Sequence, residues 1–166
     1  ALLVGFASAY KNKDAIRILR DRKVNFAAME LIPRISRAQS MDALSSQASI
    51  GGYKAVLLAA SHLDKYFPLL MTAAGTIQPA RVVVMGAGVA GLQAIATARR
   101  LGAIVEVSDV RQAVKEQVES LGGRFIEVDL GESGEGQGGY AKELTKEQLA
   151  KQQAVVDPHR VAAAFK

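Results

Sequence analysis

A glycine-rich turn between a predicted strand and a predicted helix constrains the fold of this chain more than any other feature. The apolar run 81–85 leads into a G-x-G-x-x-G pattern at residues 86–91, and small residues at helical spacing follow it. In this setting Gly86 makes a tight turn, Gly88 admits a pyrophosphate close to the backbone, and Gly91 lets the helix pack closely. The helix N-terminus adds unpaired N–H groups and a positive dipole end. The pattern therefore predicts a dinucleotide site.

A second predicted strand ends in an acidic residue. Residues 103–109 read as this strand, and Asp109 follows the glycines by about 20 residues, the distance typical of a carboxylate that binds the adenosine ribose. Its carboxylate can accept hydrogen bonds from both ribose hydroxyls, and its charge would repel a 2′-phosphate. We therefore predict an NAD(H) site rather than an NADP(H) site. The alternative is an ordinary β-α-β connection in which Asp109 caps a helix.

Composition excludes several other classes of site. The chain has no cysteine, which excludes disulfides and thiolate metal sites. Its two histidines, His62 and His159, have no clustered carboxylates around them, so we predict no metal site. The net charge is +5, but the basic residues are scattered and aromatic residues make up only 5%, which argues against a nucleic-acid partner. No apolar run approaches the roughly 18 residues of a transmembrane segment.

The remaining patterns predict an α/β fold: a Rossmann-type unit with a three-stranded parallel half sheet, a small flanking β-α-β segment and a connecting helix. A doubly wound fold needs two such halves, so we expect the chain to be a fragment of a larger polypeptide or a shortened version of one. The predicted elements are strand 1–6, helix 13–22, strand 24–31, helix 40–63, linker 67–78, strand 81–85, a helix ending near residue 100, strand 103–109, helix 112–121, strand 124–130, helix 141–156 and a shorter helix after Pro158.

Two glycine clusters interrupt these patterns. Gly51 and Gly52 fall inside the long helix, where glycine costs about 1 kcal/mol relative to alanine, so they predict a close packing contact or a bend. Residues 131–140 contain five glycines and almost no apolar side chains. We predict that this second segment is a mobile loop.

Four segments resemble the NAD(H)-binding component of proton-translocating nicotinamide nucleotide transhydrogenase. They are the polar run P-R-I-S-R-A-Q-S-M-D-A-L-S-S-Q at residues 33–47, M-T-A-A-G-T at 71–76, the glycines of 86–91, and G-E-G-Q-G-G-Y-A-K-E at 134–143. Alanine dehydrogenase shares the fold and is the nearest alternative. The polar run and the Gly-Gly-Tyr segment resemble the transhydrogenase more.

The resemblance implies an oxidoreductase and translocase component that binds NADH and passes hydride to NADP⁺ held by a separate component. It implies coupling to proton translocation by a membrane domain, a homodimer in the full-length form, and a peripheral location at the cytoplasmic face of the bacterial inner membrane or the mitochondrial matrix side. It also implies three regions: residues 1–33 as a remnant of a flanking subdomain, 34–79 as nicotinamide-side loop, connecting helix and linker, and 80–166 as the NAD(H)-binding half-domain. A non-catalytic NAD(H)-binding module is an alternative from another class.

The resemblance also implies roles for single residues. Arg34 would bind the carboxamide or phosphate region, Gln39 would orient the nicotinamide toward the second nucleotide, and Asp42 would fix the loop; these three are the candidate catalytic residues. Capping of the following helix by Ser40 or Asp42 is the simpler interpretation of the same run. The predicted cofactor contacts are Arg34, Ile35, Ser36, Gln39, Asp42, Ser45, Gly86, Gly88, Val89, Ala90, Gly91, Asp109, Val110, Arg111, Gly139 and Tyr140.

Overall fold

The computed structural model describes residues 1–33, 35–128, 134 and 144–164, with the backbone alone for 159–164. The chain divides into two compact units, Ala1–Ala48 and Ser49–Lys166. The division into three regions stays a prediction.

The first unit is built on a parallel β-α-β segment. Strand β1 (Leu2–Gly5) and strand β2 (Asn25–Ala28) flank helix α1 (Lys13–Asp21), and the strands pair from Leu2↔Asn25 to Gly5↔Ala28. Apolar side chains of this segment are largely exposed: 72% at Leu2 and 58% at Val4. The flanking β-α-β segment is thus confirmed, although β2 is shorter than predicted and ends in a single 3₁₀ turn at Met29–Leu31.

A long helix and a hairpin precede the main sheet. Helix α2 spans Ala43–His62 without interruption. Strands β3 (Leu70–Thr72) and β4 (Gly75–Ile77) then form an antiparallel hairpin. The predicted linker at 67–78 was therefore wrong. Strands of three residues are too short to show the alternation by which a strand is predicted, and the turn residues between them dominated the pattern.

The second unit contains the predicted three-stranded parallel sheet, in the order β5-β6-β7. Its elements are strand β5 (Arg81–Met85), helix α3 (Val89–Arg100), strand β6 (Ile104–Ser108), a 3₁₀ turn (Gln112–Val114), helix α4 (Lys115–Ser120) and strand β7 (Arg124–Phe125). β6 lies in the middle and is buried beyond its first residue, as expected for a strand covered on both faces. Its one charged side chain, Glu106, is 1% exposed and accepts a 2.9 Å hydrogen bond from the Arg81 guanidinium.

Two predicted elements near the C-terminus differ in extent. β7 pairs only at Arg124 and Phe125, although the N–H of Ile126 still donates to the carbonyl of Val107 at 2.7 Å. Helix α5 runs from Lys146 to Ala164, so the predicted break at Pro158 was wrong. A proline removes one helical hydrogen bond, and the buried Val156 anchors the helix just before that point.

The core of the second unit lies between its sheet and helices α2, α3 and α4. Its fully buried members are short aliphatic side chains, which suits helices packed closely on a parallel sheet. The least exposed are Ile95, Ala98, Ala103, Val105, Val107 and Val118.

The two glycines of α2 have different surroundings. A Cβ on Gly52 would lie 2.0 Å from the carbonyl oxygen of Ala90, whereas a Cβ on Gly51 would meet nothing within 4 Å. The predicted close packing contact is therefore confirmed, and it belongs to Gly52. Through it the backbone of α2 rests on the first turn of α3.

We expect Gly52→Ala to destabilise the chain by about 1–3 kcal/mol, because the added methyl group must push two backbones apart. Gly51→Ala is the matched control and should stabilise by about 0.5–1 kcal/mol, since alanine is the better helix former in open space. Urea unfolding of both variants measures the difference. Equal midpoints would contradict the contact.

Candidate functional site

The turn that joins β5 to α3, residues 86–91, is called here the glycine turn. Gly86 has φ +94°, a left-handed conformation that favours glycine. Its N–H donates to the carbonyl of Ser108 at 2.7 Å, and the N–H of Ala87 donates to Oδ2 of Asp109 at 2.6 Å. The C-terminal end of β6 therefore fixes the start of the glycine turn.

Gly91 is required by a close backbone approach within the turn. A Cβ at this position would lie 1.8 Å from the carbonyl oxygen of Gly86 and 3.7 Å from Cγ1 of Val84. The tight contact predicted for this glycine is present. It is made chiefly with the turn itself and less with the sheet.

Gly88 lies at the opposite extreme. It precedes the first residue of α3 in an extended conformation, no side chain among the described residues caps the helix there, and a Cβ would meet nothing within 4 Å. Val89 and Ala90, the next two residues, are exposed. The N-terminus of α3 thus presents first-turn N–H groups to open space, an arrangement that fits a phosphate.

Asp109 is buried beside this turn, with 3% of its side chain exposed. Its Oδ1 accepts hydrogen bonds from the N–H of Arg111 at 2.8 Å and from Nε of Arg111 at 2.9 Å, and its Oδ2 accepts from Nη2 at 2.8 Å. Burial raises the pKa of Asp109, but the hydrogen bonds from Arg111 and Ala87 outweigh it and hold the pKa below its usual range. The carboxylate is therefore ionised at neutral pH and held in one orientation.

Val110 is partly buried and receives a contact that the composition of the following segment did not indicate. A Cβ on Gly134 would lie 2.3 Å from the carbonyl oxygen of Val110 and 2.7 Å from its Cβ. Gly134 is itself buried. A glycine predicted to be part of a mobile loop is thus packed against the adenosine-side strand end.

In the first unit, the polar run forms a 3₁₀ helix (Ser36–Met41) that leads into α2. An open cavity of about 380 Å³ is lined by Pro33, Ile35, Ser36, Ala38, Gln39 and Asp42. Asp42 also caps α2: its Oδ1 accepts from the N–H of Ser45 at 2.9 Å and its Oδ2 from the Ser45 hydroxyl at 2.7 Å. The capping interpretation is confirmed, and it leaves Gln39 exposed beside the cavity.

Models of both domains of one family match the chain. The alanine dehydrogenase/PNT C-terminal domain matches residues 55–162, which is more than half of the chain, and the N-terminal domain matches residues 1–51. The chain belongs to the alanine dehydrogenase/PNT family.

Relatives in this family carry transhydrogenase names. The chain is 56% identical over 158 residues to the first of the separate alpha-subunit polypeptides of the NAD(P) transhydrogenase of Rhodospirillum rubrum, and the match covers 94% of this chain and 41% of that protein. The corresponding Rickettsia prowazekii protein is 51% identical, with 92% and 40% covered. The crystal structure of transhydrogenase from Sinorhizobium meliloti superposes with a TM-score of 0.79 at 50% identity, with 96% and 42% covered. The chain thus spans about two fifths of the length of these relatives.

Within the family fold, the structure brings the predicted residues together in two groups. One group, in the second unit, joins the glycine turn to Asp109, Val110 and Arg111. The other, in the first unit, comprises Ile35, Ser36, Gln39, Asp42 and Ser45. Arg34, Gly139, Tyr140 and the remainder of the predicted loop 131–140 apart from Gly134 lie outside the described residues.

Sequence reasoning missed Glu30, which organises the segment after β1. Its Oε1 accepts hydrogen bonds from the N–H of Ala9 at 2.9 Å and of Ala7 at 3.2 Å. These bonds, with that of Ala9 the strongest, lower the pKa of Glu30. A lone glutamate after a strand carries no local signal for such a contact, because its partners lie 21 and 23 residues earlier.

Proposed function

We propose that the chain is the NAD(H)-binding component of a transhydrogenase that transfers hydride between NADH and NADP⁺ and is coupled to proton translocation. One observation carries the proposal. Open space at Gly88 adjoins the uncapped N-terminus of α3 and the buried carboxylate of Asp109, in a chain whose relatives are named NAD(P) transhydrogenase subunits. Phosphates need the first feature and an adenosine ribose needs the second.

The chain's own residues would position the nucleotide and exclude water. The first-turn N–H groups of α3 would hold the pyrophosphate, and Asp109 would discriminate against a 2′-phosphate by its charge. The exposed Gln39, at the mouth of a cavity whose wall is fixed by the Asp42 cap, would orient the nicotinamide together with Arg34. The nicotinamide supplies the hydride, so the residues need no general acid or base, and catalysis rests on positioning.

The proposal includes partners. NADP(H) would be held by a separate component, proton translocation would belong to a membrane domain, and the full-length form would be a homodimer. Among the described helices, none combines the length and apolarity needed to cross a bilayer. The location proposed for this component is peripheral, at the cytoplasmic face of the bacterial inner membrane or the matrix side of the mitochondrial one.

The test is a titration with NADH, followed by addition of the NADP(H)-binding component and measurement of transhydrogenation. Saturable NADH binding followed by hydride transfer supports the proposal. Saturable binding without transfer to that component supports a non-catalytic module. Pyruvate-dependent oxidation of NADH by the full-length protein supports an alanine dehydrogenase-like enzyme, and absence of NADH binding contradicts all three.

We expect Gln39→Asn in the full-length protein to lower the hydride-transfer rate on the order of 10²-fold while NADH affinity barely changes. The shorter side chain keeps its polarity but moves the contact by about 1 Å, and positioning-dependent rates are sensitive to such a shift. Stopped-flow transfer rates and equilibrium titrations measure the two quantities. Gln117→Asn, at an exposed position on α4, is the control. A parallel fall of affinity and rate would contradict the orienting role.

A further inference from the structure

The side chain of Arg111 occupies the atoms of Asp109 that a ribose would use. A carboxylate offers about four lone-pair sites, and this one accepts four hydrogen bonds, from the N–H of Ala87 and from N, Nε and Nη2 of Arg111. The two side chains are 3% and 14% exposed. A ribose diol therefore finds both oxygens engaged.

The four donors differ in how they can leave. The N–H groups of Ala87 and Arg111 belong to the glycine turn and to the segment after β6, so their departure would require a change in the backbone. The guanidinium donors, in contrast, leave by rotation of one side chain. Two hydroxyl groups can then replace two guanidinium hydrogen bonds while the backbone bonds hold the carboxylate in place.

We propose that Arg111 is an intramolecular competitor of the nucleotide for Asp109, so that a ribose diol binds only after the guanidinium has left the carboxylate. This inference rests on the proposed NAD(H) site and deepens it. The apparent affinity is then the intrinsic affinity multiplied by the fraction of molecules in which the carboxylate is open.

The same ion pair sets the preference between the two dinucleotides. While Arg111 is present, a 2′-phosphate approaches a carboxylate whose charge is compensated, and the released guanidinium can bind the phosphate. Without the guanidinium the 2′-phosphate meets an uncompensated carboxylate. Removal of Arg111 should therefore tighten NADH binding and weaken NADPH binding, whereas loss of a merely structural residue would weaken both.

The decisive experiment compares Arg111→Met with the unmodified chain in fluorescence titrations with NADH and with NADPH. If the open carboxylate is about one-tenth populated, the dissociation constant for NADH falls about tenfold, and that for NADPH rises. Arg100→Met, an exposed arginine at the far end of α3, removes the same charge and should change neither constant appreciably. Equal or parallel changes of the two constants in Arg111→Met overturn the competitor role, even where NADH binding by the unmodified chain upholds the proposed function.

A second measurement needs no nucleotide to report on the pair. In ¹³C NMR titrations the carboxyl of Asp109 should titrate at higher pH in Arg111→Met than in the unmodified chain, and the Arg111 Nε–H signal of the latter should shift on saturation with NADH. An unchanged Nε–H signal in a chain that binds NADH overturns the inference and leaves the proposed function standing. Absence of NADH binding by both chains overturns the two together.

Discussion

Gly88→Val should abolish NADH binding in a chain that still folds. The space around this position is open within 4 Å, so a valine has room in the protein, and its side chain fills the volume that a pyrophosphate must enter. Helix α3 loses only a favourable residue before its first turn, which costs about 1 kcal/mol. Titration with NADH and thermal unfolding followed by circular dichroism measure the two effects.

The neighbouring glycine provides the matched comparison. Gly91→Ala places a methyl carbon 1.8 Å from the carbonyl oxygen of Gly86, so this smaller change should disrupt the turn itself and lower stability. The two variants should therefore separate: one binds no nucleotide but melts near the normal temperature, and the other melts early. Normal NADH binding by folded Gly88→Val would place the phosphate site elsewhere.

Asp109→Ala should destabilise the chain by about 3–5 kcal/mol, because it leaves the guanidinium of Arg111 and the N–H of Ala87 without their buried acceptor. The ribose contact predicted for the same carboxylate would add a loss of NADH affinity. Glu127→Ala is the control, since its pair with Lys115 is solvent-exposed and should contribute little. A stability loss no larger than that of the control would contradict the buried network.

The destabilisation by Asp109→Ala should depend on pH. The folded-state pKa of Asp109 lies below its ordinary value of 3.8, so its contribution is complete above that value and is lost as the pH falls through the folded-state pKa. The difference in unfolding free energy between the two chains should therefore be constant from neutral pH to about pH 5 and shrink in stronger acid. Urea unfolding at a series of pH values measures it. A difference that grows in acid would contradict the lowered pKa.

The sequence predicted best those parts of the fold that depend on period and spacing. The run at 81–85, the glycines and the acidic end of the next strand together specify β5, α3 and β6, because each local pattern supports the same unit. The hairpin at Leu70–Ile77 escaped prediction because its strands are too short to show a period. The pairing of Arg111 with Asp109 escaped for another reason: it is decided by side-chain rotamers, which a sequence pattern does not encode.

The bonds between the glycine turn and the end of β6 have a consequence for the energetics of recognition. They join residues that are 22 positions apart, so the turn reaches its final shape only when β5 and β6 have paired, and the amide of Ala87 should exchange with solvent as slowly as those of the sheet. The entropy of ordering this segment is thus lost during folding. A ligand that arrives later meets a preorganised surface, and its affinity is not reduced by the cost of immobilising a loop.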